Sequence, residues 1–461
     1  MKADPVRRRA HEILIAVDEG HPLDPVLARG LDRTSDPRDR AFLAELVRGT
    51  LQWRGRYDHL IKHFSSRKPP ADSPTLSLLR MSLHQILGQG SVPAYAAIHQ
   101  AGELCRRRPG ARKLPFVNGL LQNVRRKVLG DDEQGRLDPD EIERRLLPFF
   151  EMADGDQAAR LAAWQSHPEW LVRKWIAHFG YQKTDAICSW NNQPVPLVFH
   201  VLYPADPVEA ARLLAEAGCP VTSDGPRHKT LVATHRIGRL QLDGILARFP
   251  WLIVQDPTVQ RATAWLAADL ADHVRVREQP VLDMCAAPGG KTAFLASRWP
   301  GQGRIVAMDH HPDRLALLVS TIKRIEADRV DVVLANGKQA PFGPETFGAV
   351  LLDGPCSGTG VLRHHPEGRW MLNSDVPGRN GPTLLELAEN AAGLLEPGGL
   401  LMYATCSLEP EENEVVVDRL LAERSDLEPA PSAVDGQWRR LWLPGESPGD
   451  GFFAARMRKK G

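Results

Sequence analysis

The chain has 461 residues, of which 43% are hydrophobic and 25% charged, and its formal net charge is +1. This composition is typical of globular proteins, and the length predicts about two to four domains. The six cysteines include no C-x-x-C pair and no Cys/His group with zinc spacing, which excludes a disulfide scaffold and predicts a reducing compartment without a bound metal.

The first part of the chain, residues 1–130, has helical periodicity throughout. Apolar residues recur at helical spacing from Ile13 to Val17 and from Phe42 to Leu51. The stretch "SPTLSLLRMSLHQIL" begins with a Ser-Pro cap, and "FVNGLLQNVRRKV" is another amphipathic stretch with a basic end. Because no strand alternation interrupts this pattern, we expect an all-α helical bundle.

The middle of the chain divides into two predicted segments. Residues 131–193 begin in the polar linker "LGDDEQGRLDPDE" and continue in helices, of which "PEWLVRKWIAHFG" ends on the glycine cap Gly180. Residues 194–250 contain the strands "VPLVFHVL" and "KTLVAT" and the helix "DPVEAARLLAEAG". The second segment is therefore predicted to be a small α+β unit.

The last segment, residues 251–461, alternates strands with helices. Its predicted strands are "PVLDMC", "GRIVAMD", "VDVVLA", "GAVLLD" and "GGLLMYAT". This alternation predicts a doubly wound, mostly parallel sheet, which binds ligands at the carboxyl ends of its strands. The polar or reactive residues at these ends are Asp283, Asp309, Asn336, Asp353 and Cys406. Their shared position predicts one site.

A glycine-rich turn, "VLDMCAAPGGKTAFLA", joins the first of these strands to a helix. It is not a phosphate loop, because the first glycine of that motif would fall on Cys285, and a plain tight turn is the alternative to a ligand site. Asp309 follows at the distance expected of a residue that binds ribose hydroxyls, or it caps a helix. Asn336 either reads an adenine edge or is an ordinary turn residue.

Two cysteines, Cys356 and Cys406, follow strands of this predicted sheet. A nucleoside-binding sheet without a phosphate loop favours a nicotinamide or S-adenosylmethionine cofactor, and the two thiols favour the second. C5 of cytosine or uracil is too electron-poor to accept a methyl group until a thiolate adds to C6. Cys105, Cys188 and Cys219 are expected to be packing residues, as free cysteines usually are.

Three motifs, "DGPCSGTG", "ATCSLEPEENE" and "MCAAPGGKT", look like those of RNA (cytosine-C5)-methyltransferases with two cysteines. The helical N-terminal segment, with "FVNGLLQNV" near its end, is similar to a NusB-like RNA-binding domain. With the closing "DGFFAARMRK", the combination resembles the bacterial 16S ribosomal RNA (cytosine-C5)-methyltransferases of the Sun/Fmu type. The resemblance implies an all-α NusB-like domain, a small α+β RNA-binding unit and a C-terminal Rossmann-like S-adenosylmethionine methyltransferase domain.

The resemblance also implies residue roles. Cys406 would be the nucleophile, Cys356 would help to release the product, Asp353 would contact cytosine N3, and Lys291 would lie near the cofactor or target base. The implied cofactor-binding residues are Cys285, Ala286, Ala287, Pro288, Gly289, Gly290, Lys291, Asp309, Arg314, Asn336 and Asp353. Of these, Cys285 has packing as its alternative role. Glu409, Glu411 and Glu412 are expected at a helix start, where they would favour the helix dipole and serve the fold.

The chain departs from the family pattern at three places. Gly354 stands where the family has alanine, Asn336 where aspartate is common, and "FHVLYP" where Arg-Val-Asn is common. The last departure falls in a segment that touches RNA in the family. It therefore bears on the choice of target more than on the chemistry.

Basic runs in the helical segment, at 105–113 and 124–128, are candidates for RNA phosphate contacts, with solvated helix faces as the alternative. We expect a monomeric, S-adenosylmethionine-dependent RNA (cytosine-C5)-methyltransferase that acts on 16S ribosomal RNA. The sequence shows no signal-peptide core and no stretch of about 18 apolar residues, which predicts a cytoplasmic protein without a membrane partner. Alternatives are a transfer RNA methyltransferase and a non-catalytic RNA-binding assembly factor. A dehydrogenase is disfavoured because the turn lacks G-x-G-x-x-G.

Overall fold

A computed structural model describes residues 4–461 except 66–67, 69–70, 91, 131–137, 153–154, 224–228, 269, 271–278, 299–302 and 447. The chain divides into two compact units. The first comprises Met1–Asn192 with His365–Asn373, and the second comprises Gln193–His364 with Ser374–Gly461. Within the described residues, no helix has both the length and the apolar character needed to cross a membrane. The predicted boundaries at 130, 193 and 250 stay predictions.

The described part of the first unit is helical, as its periodicity predicted. Its helices are α1 (Pro5–Asp18), α2 (Leu23–Asp32), α3 (Pro37–Gln52), α4 (Arg54–Phe64), α5 (Ser73–Gly88), α6 (Ala94–Cys105), α7 (Leu114–Val124), α8 (Pro139–Leu146), α9 (Gln157–Trp164), α10 (Glu169–Phe179) and α11 (Tyr181–Asn191), with a one-turn helix at Gly368–Met371. Apolar faces of the helices from α1 to α8 form one core, in which Leu43, Leu46 and Leu79 are fully buried.

Two helix ends in this unit test the sequence analysis. Gly180 ends α10 with a φ of 82°, so the predicted glycine cap is confirmed. The predicted Ser-Pro cap is wrong by one residue, because Asp72 caps α5 and its carboxylate accepts the N–H of Thr75 at 3.0 Å. A carboxylate reaches this N–H as well as a serine hydroxyl would. Most of the predicted linker, at 131–137, lies outside the described residues.

The second unit begins with the predicted small α+β fold. Its strands β1 (Val198–Val201), β2 (Val221–Ser223), β3 (Thr230–Ala233) and β4 (Leu252–Val254) form an antiparallel sheet in the order β2-β3-β1-β4, with helices α12 (Pro207–Glu216) and α13 (Arg239–Arg248). Phe199, Leu214, Leu231 and Leu252 fill the core between sheet and helices. Strands β2 and β4 are additional to the two that the sequence predicted.

The rest of the second unit is one large sheet with helices. Its strands are β5 (Val281–Asp283), β6 (Ile305–Asp309), β7 (Val330–Leu334), β8 (Phe347–Asp353), β9 (Leu395–Thr405), β10 (Leu427–Pro429), β11 (Arg439–Trp442) and β12 (Phe452–Lys459). Its helices are α14 (Pro257–Leu266), α15 (Gly290–Arg298), α16 (Pro312–Arg324), α17 (Val376–Leu394) and α18 (Glu414–Glu423). All five strands predicted for this segment are confirmed.

The strand order of this sheet is β10-β12-β9-β8-β5-β6-β7, with β11 paired to β12. Strands β5 to β9 are parallel, and β12 is antiparallel to β9. In this register Asp283 lies opposite Leu351 of β8, and Asp353 lies opposite Ala404 of β9. The parallel core therefore brings the carboxyl ends of its strands to one edge, as the sequence predicted.

Candidate active site

The turn after β5 depends on a glycine that no other residue can replace without strain. Gly289 has a φ of +104°, and a Cβ on it would lie 2.9 Å from Cδ1 of Leu318 in α16. L-residues avoid this backbone conformation, and the packed leucine leaves no room for a side chain. The turn can therefore pass close against α16 before α15 begins at Gly290.

A cavity of about 190 Å³ opens beside this turn. It lies at the carboxyl ends of β5 and β8 and is lined by Val254, Gln255, Asp283, Cys285, Ala286, Ala287, Pro288, Gly290, Lys291 and Asp353. Seven of these ten are residues for which the resemblance implied cofactor contact. Gly289, Asp309, Arg314 and Asn336 are not among the lining residues.

Asp309 and Arg314 hold the turn rather than line the cavity. The buried Asp309 carboxylate accepts the N–H of Ala287 at 3.2 Å and that of His311 at 3.0 Å. Arg314 donates to the carbonyl oxygen of Ala287 at 2.8 Å. Because α16 begins at Pro312 and its N-cap is His311, the alternative role of Asp309 as a helix cap is wrong.

The Asn336 side chain has the contact of an ordinary turn residue. Its Oδ1 accepts the N–H of Lys338 at 3.0 Å, at the start of a short 3₁₀ turn after β7. This arrangement is the local Asx hydrogen bond that asparagine commonly makes. A contact with a bound adenine stays a prediction.

Lys291 and Asp353 form an ion pair across the cavity wall. The Lys291 Nζ lies 2.6 Å from Asp353 Oδ2, and the two side chains are 14% and 27% exposed. Burial acts to lower the pKa of Lys291, but the charge and hydrogen bond of Asp353 outweigh it, so that the pKa is raised. The ammonium also lies 5.2 Å from the ring centroid of Phe452. The Lys291 ammonium therefore stays charged at neutral pH.

Asp283 is a second carboxyl group in the cavity wall, to which the sequence analysis gave no role beyond its place at a strand end. It is 1% exposed, and its Oδ2 accepts the hydroxyl of Thr292 at 2.7 Å. Burial raises the pKa of Asp283 to about 7. Its Oδ1 is buried and has no hydrogen-bond partner within the described structure. A cationic donor in the cavity would satisfy this oxygen.

The two predicted reactive cysteines lie side by side. The Cys356 and Cys406 sulfur atoms are 3.3 Å apart, because each cysteine follows one of the adjacent parallel strands β8 and β9. The hydrogen bond with the Cys406 sulfur, together with burial, raises the pKa of Cys356 well above its ordinary value. The Cys356 thiol therefore stays protonated at neutral pH.

Backbone hydrogen bonds fix the loop that carries Cys356. Gly360 donates to the carbonyl oxygen of Cys406 at 2.9 Å, and Gly451 donates to that of Gly360 at 2.8 Å. A Cβ on Gly360 would lie 2.5 Å from the carbonyl oxygen of Gly451, which the close approach of the two loops does not permit. The thiol geometry is therefore set by three loops in contact.

Three potential metal ligands, Asp256, His364 and Asp450, lie beyond this loop with their ligand atoms within 4.8 Å of one another. Such donors suit a divalent cation. In the structure the donors already bind one another, since His364 Nε2 lies 2.6 Å from Asp450 Oδ2 and the Asp450 N–H donates to Asp256 at 3.2 Å. We assign the group a structural role. Sequence spacing could not reveal it, because its members are far apart in the chain.

The remaining cysteines are core residues, as expected. Cys105, Cys188 and Cys219 are fully buried. Cys285 lies in the cavity wall, where burial raises its thiol pKa. It is therefore protonated at neutral pH, as its packing alternative requires.

Comparison with known families matches three parts of the chain. The family described as 16S rRNA methyltransferase RsmB/F matches residues 273–458. The NusB family matches residues 4–126, and the ferredoxin-like domain of RsmF/B-like methyltransferases matches residues 167–227. These matches fall in the helical unit, in the segment that carries β1 and β2 of the small sheet, and in the large sheet.

Full-length relatives and solved structures agree with these matches. The chain is 30% identical to the probable ribosomal RNA small subunit methyltransferase B of Bacillus subtilis (strain 168), with all of both chains covered. It is also 30% identical to the Shigella boydii ribosomal RNA small subunit methyltransferase B, with 96% of each covered.

Two solved structures share the fold. The crystal structure of PH0851 superposes with a TM-score of 0.74 over all of both chains at 22% identity. That of NSun6 from Pyrococcus horikoshii with SFG superposes with a TM-score of 0.53 at 16% identity, covering 64% of this chain and 99% of that one.

A doubly wound sheet with this turn and cavity defines an S-adenosylmethionine-dependent methyltransferase. The chain belongs to the RsmB/F family of 16S rRNA methyltransferases. The predicted resemblance, three-part fold, enzyme class and cofactor are thereby confirmed.

Proposed function

We propose that this enzyme methylates C5 of cytosine in 16S ribosomal RNA through a covalent adduct between Cys406 and C6. The main support is the thiol pair, whose sulfur atoms lie 3.3 Å apart at the sheet edge that also carries the Lys291–Asp353 ion pair. A binding protein without catalysis has no need of two thiols in contact. The names of the Bacillus and Shigella relatives support small-subunit ribosomal RNA as the substrate.

The proposed reaction begins when the Cys406 thiolate forms a bond to C6 of the base. The electron pair of the C5–C6 double bond then makes C5 nucleophilic, while N3 takes up a proton that it shares with the Asp353 carboxylate and gives up again when the product is released. S-adenosylmethionine, when bound, supplies the methyl group that C5 acquires. A base removes the C5 proton, and Cys406 leaves as the thiolate while the double bond is restored.

The cavity beside the turn fits S-adenosylmethionine. The cofactor carries cationic groups, and the orphaned Oδ1 of Asp283 is a buried acceptor for such a donor. The residues from Cys285 to Lys291 supply a wall of small side chains and backbone. We propose that these residues hold the cofactor, with Asp309 and Arg314 acting through Ala287, and that Asn336 contacts its adenine.

Cys356 has a different proposed role. Its sulfur lies 3.3 Å from the Cys406 sulfur, and its raised pKa keeps it protonated, so we propose that it is the S–H donor to Cys406. A proton donor at the leaving sulfur would assist release of the methylated base. This supports the assignment of Cys356 to product release and of Cys406 to attack.

The basic runs of the helical unit are the proposed RNA contacts. Arg106, Arg107 and Arg108 are exposed, as are Arg126 and Lys127. Arg106 pairs with Glu103 and Arg108 with Glu19, so part of this charge is already compensated. Phosphate contacts would give a salt-dependent affinity. We also propose that the protein is a cytoplasmic monomer, which light scattering on purified enzyme tests for the oligomeric state.

The decisive experiment uses purified protein, labelled S-adenosylmethionine and unmodified RNA separated into classes. Labelled 5-methylcytidine in small-subunit ribosomal RNA is the expected result. Label in transfer RNA would keep the mechanism and replace the substrate. No label in any class, with cofactor bound, would favour the assembly-factor alternative.

A further inference from the structure

Glu412 is a fully buried carboxylate that binds the residue next to Cys356. Its Oε1 accepts the backbone N–H of Ser357 at 2.8 Å and the amide of Asn380 at 2.6 Å, and its Oε2 accepts the Ser357 hydroxyl at 2.6 Å. All three donors are neutral groups. Both oxygens act as acceptors, which is the pattern of the ionised form.

The position of Glu412 joins the two cysteine loops. It lies shortly after Cys406 in the chain, whereas Ser357 directly follows Cys356. Its own carbonyl oxygen accepts the hydroxyl of Tyr403, a fully buried residue of β9, so the segment is fixed to the sheet. A single side chain thus holds the Cys356 loop against the strand that delivers Cys406.

The sequence analysis placed Glu412 at a helix start, where its charge would favour the dipole. The structure places Glu412 in a 3₁₀ turn just before α18, which begins at Glu414, but its carboxylate binds Ser357 and Asn380 and not the N–H groups of that helix. Within the described residues no cation pairs with Glu412, and a buried charge without such a partner is unfavourable for folding alone. Its retention here needs another explanation, which its neighbour Cys356 supplies.

The Glu412 charge also acts on the Cys356 thiol. The hydrogen bond with Cys406 and burial are the larger causes of the raised pKa of Cys356, and the negative charge of Glu412 adds to them. A negative charge nearby disfavours a thiolate, and low local polarity strengthens the effect. Glu412 therefore favours the protonated form of Cys356.

We propose that Glu412 is the positioning residue of the two-thiol centre. It holds the Cys356 loop through Ser357 and Asn380, and its charge keeps Cys356 as the S–H partner while Cys406 reacts. The assignment rests on the proposed function insofar as that function makes Cys406 the nucleophile. The effect of Glu412 on the Cys356 thiol is itself a property of the protein without RNA.

The test measures alkylation of Cys356 by iodoacetamide, followed by peptide mass spectrometry, without RNA or cofactor. The background is Cys406→Ser, which removes the competing thiol but keeps a hydrogen-bonding group. Glu412→Gln removes the charge, and Glu412→Asp keeps the charge on a shorter side chain. Glu411→Gln removes the neighbouring charge and is the matched control.

We expect Glu412→Gln to speed Cys356 alkylation at pH 9 by about three- to tenfold relative to Glu412→Asp, since removal of the negative charge lowers the pKa of the Cys356 thiol. Glu411→Gln should behave as the background protein. Equal rates in the Gln and Asp variants would show that Glu412 only closes the loop, and would overturn the charge assignment. Because no RNA is present, this outcome is separate from any failure of the methylation assay.

A second measurement covers the case in which Glu412→Gln does not fold. Ser357→Ala removes one hydrogen bond to Glu412 but leaves its charge. We expect less than a threefold change in the Cys356 alkylation rate. A tenfold increase would mean that loop closure alone protects Cys356, which overturns the proposal.

In the enzyme with both cysteines, Glu412→Gln should slow release of the methylated base from Cys406 more than it slows attack of Cys406 on C6. The expected signature is RNA-linked protein on denaturing gels together with a turnover number and a KM that fall in parallel. An unchanged turnover number in a folded variant would contradict the positioning role.

Discussion

The sulfur atoms of Cys356 and Cys406 lie 3.3 Å apart although 50 residues separate them in the chain. Parallel pairing of β8 with β9 accounts for this contact, since each cysteine follows its strand at the same edge of the sheet. We propose that Cys406 attacks the base and that Cys356 assists product release. The following substitutions test these two roles.

Replacement of the proposed nucleophile should abolish the reaction. Cys406→Ala removes the thiolate that would activate C5, so incorporation of labelled methyl into RNA should fall to background. Binding of RNA and of S-adenosylmethionine, measured by filter retention and calorimetry, should persist. Turnover at the normal rate would refute the assignment of Cys406.

Replacement of the second thiol should trap the reaction. Cys356→Ala removes the S–H that contacts the Cys406 sulfur, so a covalent protein–RNA species should accumulate on denaturing gels. The double variant Cys356→Ala with Cys406→Ala is the control and should form no such species. Product at the wild-type rate without adduct would make Cys356 a structural residue.

The Lys291–Asp353 ion pair should contribute to stability as well as activity. Asp353→Asn leaves the Lys291 ammonium, 14% exposed, without its charged partner. We expect a loss of roughly 1–3 kcal/mol in the free energy of unfolding, measured by urea titration, and a lowered rate of methylation. The double variant Lys291→Met with Asp353→Asn contains no unpaired ammonium. If its free energy of unfolding returns to the wild-type value, the unpaired charge of Lys291 caused the loss.

Asp283 should make stability depend on pH. Its pKa of about 7 in the folded protein lies above the ordinary 3.8, so the folded state keeps a proton that the unfolded chain releases. Stability should therefore fall as pH rises from about 4 to 7 and then level off. Asp283→Asn should gain stability relative to the wild type across this window, measured by urea titration at pH 5 and 8.

The control for this measurement is Asp328→Asn, which removes an exposed carboxyl group. Asp328→Asn should not show the pH-dependent gain in the free energy of unfolding that is expected of Asp283→Asn. An equal difference between Asp283→Asn and the wild type at both pH values would contradict the raised pKa.

Gly289 should tolerate no side chain. Gly289→Ala forces a residue with a Cβ to a φ of +104° and places that Cβ 2.9 Å from Leu318. We expect a loss of at least about 1 kcal/mol of stability and weaker binding of S-adenosylmethionine, measured by calorimetry. Gly378→Ala, whose Cβ would meet nothing within 4 Å, should change neither quantity appreciably.

Local sequence patterns were sufficient to predict much of the fold of this protein. Helical periodicity predicted the helical unit, because an amphipathic stripe must be buried in one core. The apolar runs ending in Asp283, Asp309 and Asp353 predicted parallel strands with a shared edge, because only a sheet covered on both faces hides such runs. The motifs around Cys356 and Cys406 were enough to indicate two-thiol chemistry.

Other features depend on contacts between segments far apart in the chain. The sequence predicted that Asp283 lies at the end of a strand. It could not predict that packing buries the carboxyl group and leaves its Oδ1 without a hydrogen-bond partner within the described residues. From the sequence, Asp309 could bind ribose hydroxyls or cap a helix. The structure excludes the cap, because α16 begins at Pro312 and its N-cap is His311. The Asp256, His364 and Asp450 group has no spacing signal of any kind.

Glu412 shows most directly the difference between what the sequence predicted and what the tertiary structure determined. Its residue type and its place among acidic neighbours indicated a helix start, because sequence reports only local environment. The tertiary structure instead buries it against Ser357 and Asn380, where its carboxylate meets donors from two other segments. Sequence determined which groups the site contains, whereas the fold decided which of them touch, because burial and hydrogen bonding between distant segments exist only once the sheet has closed.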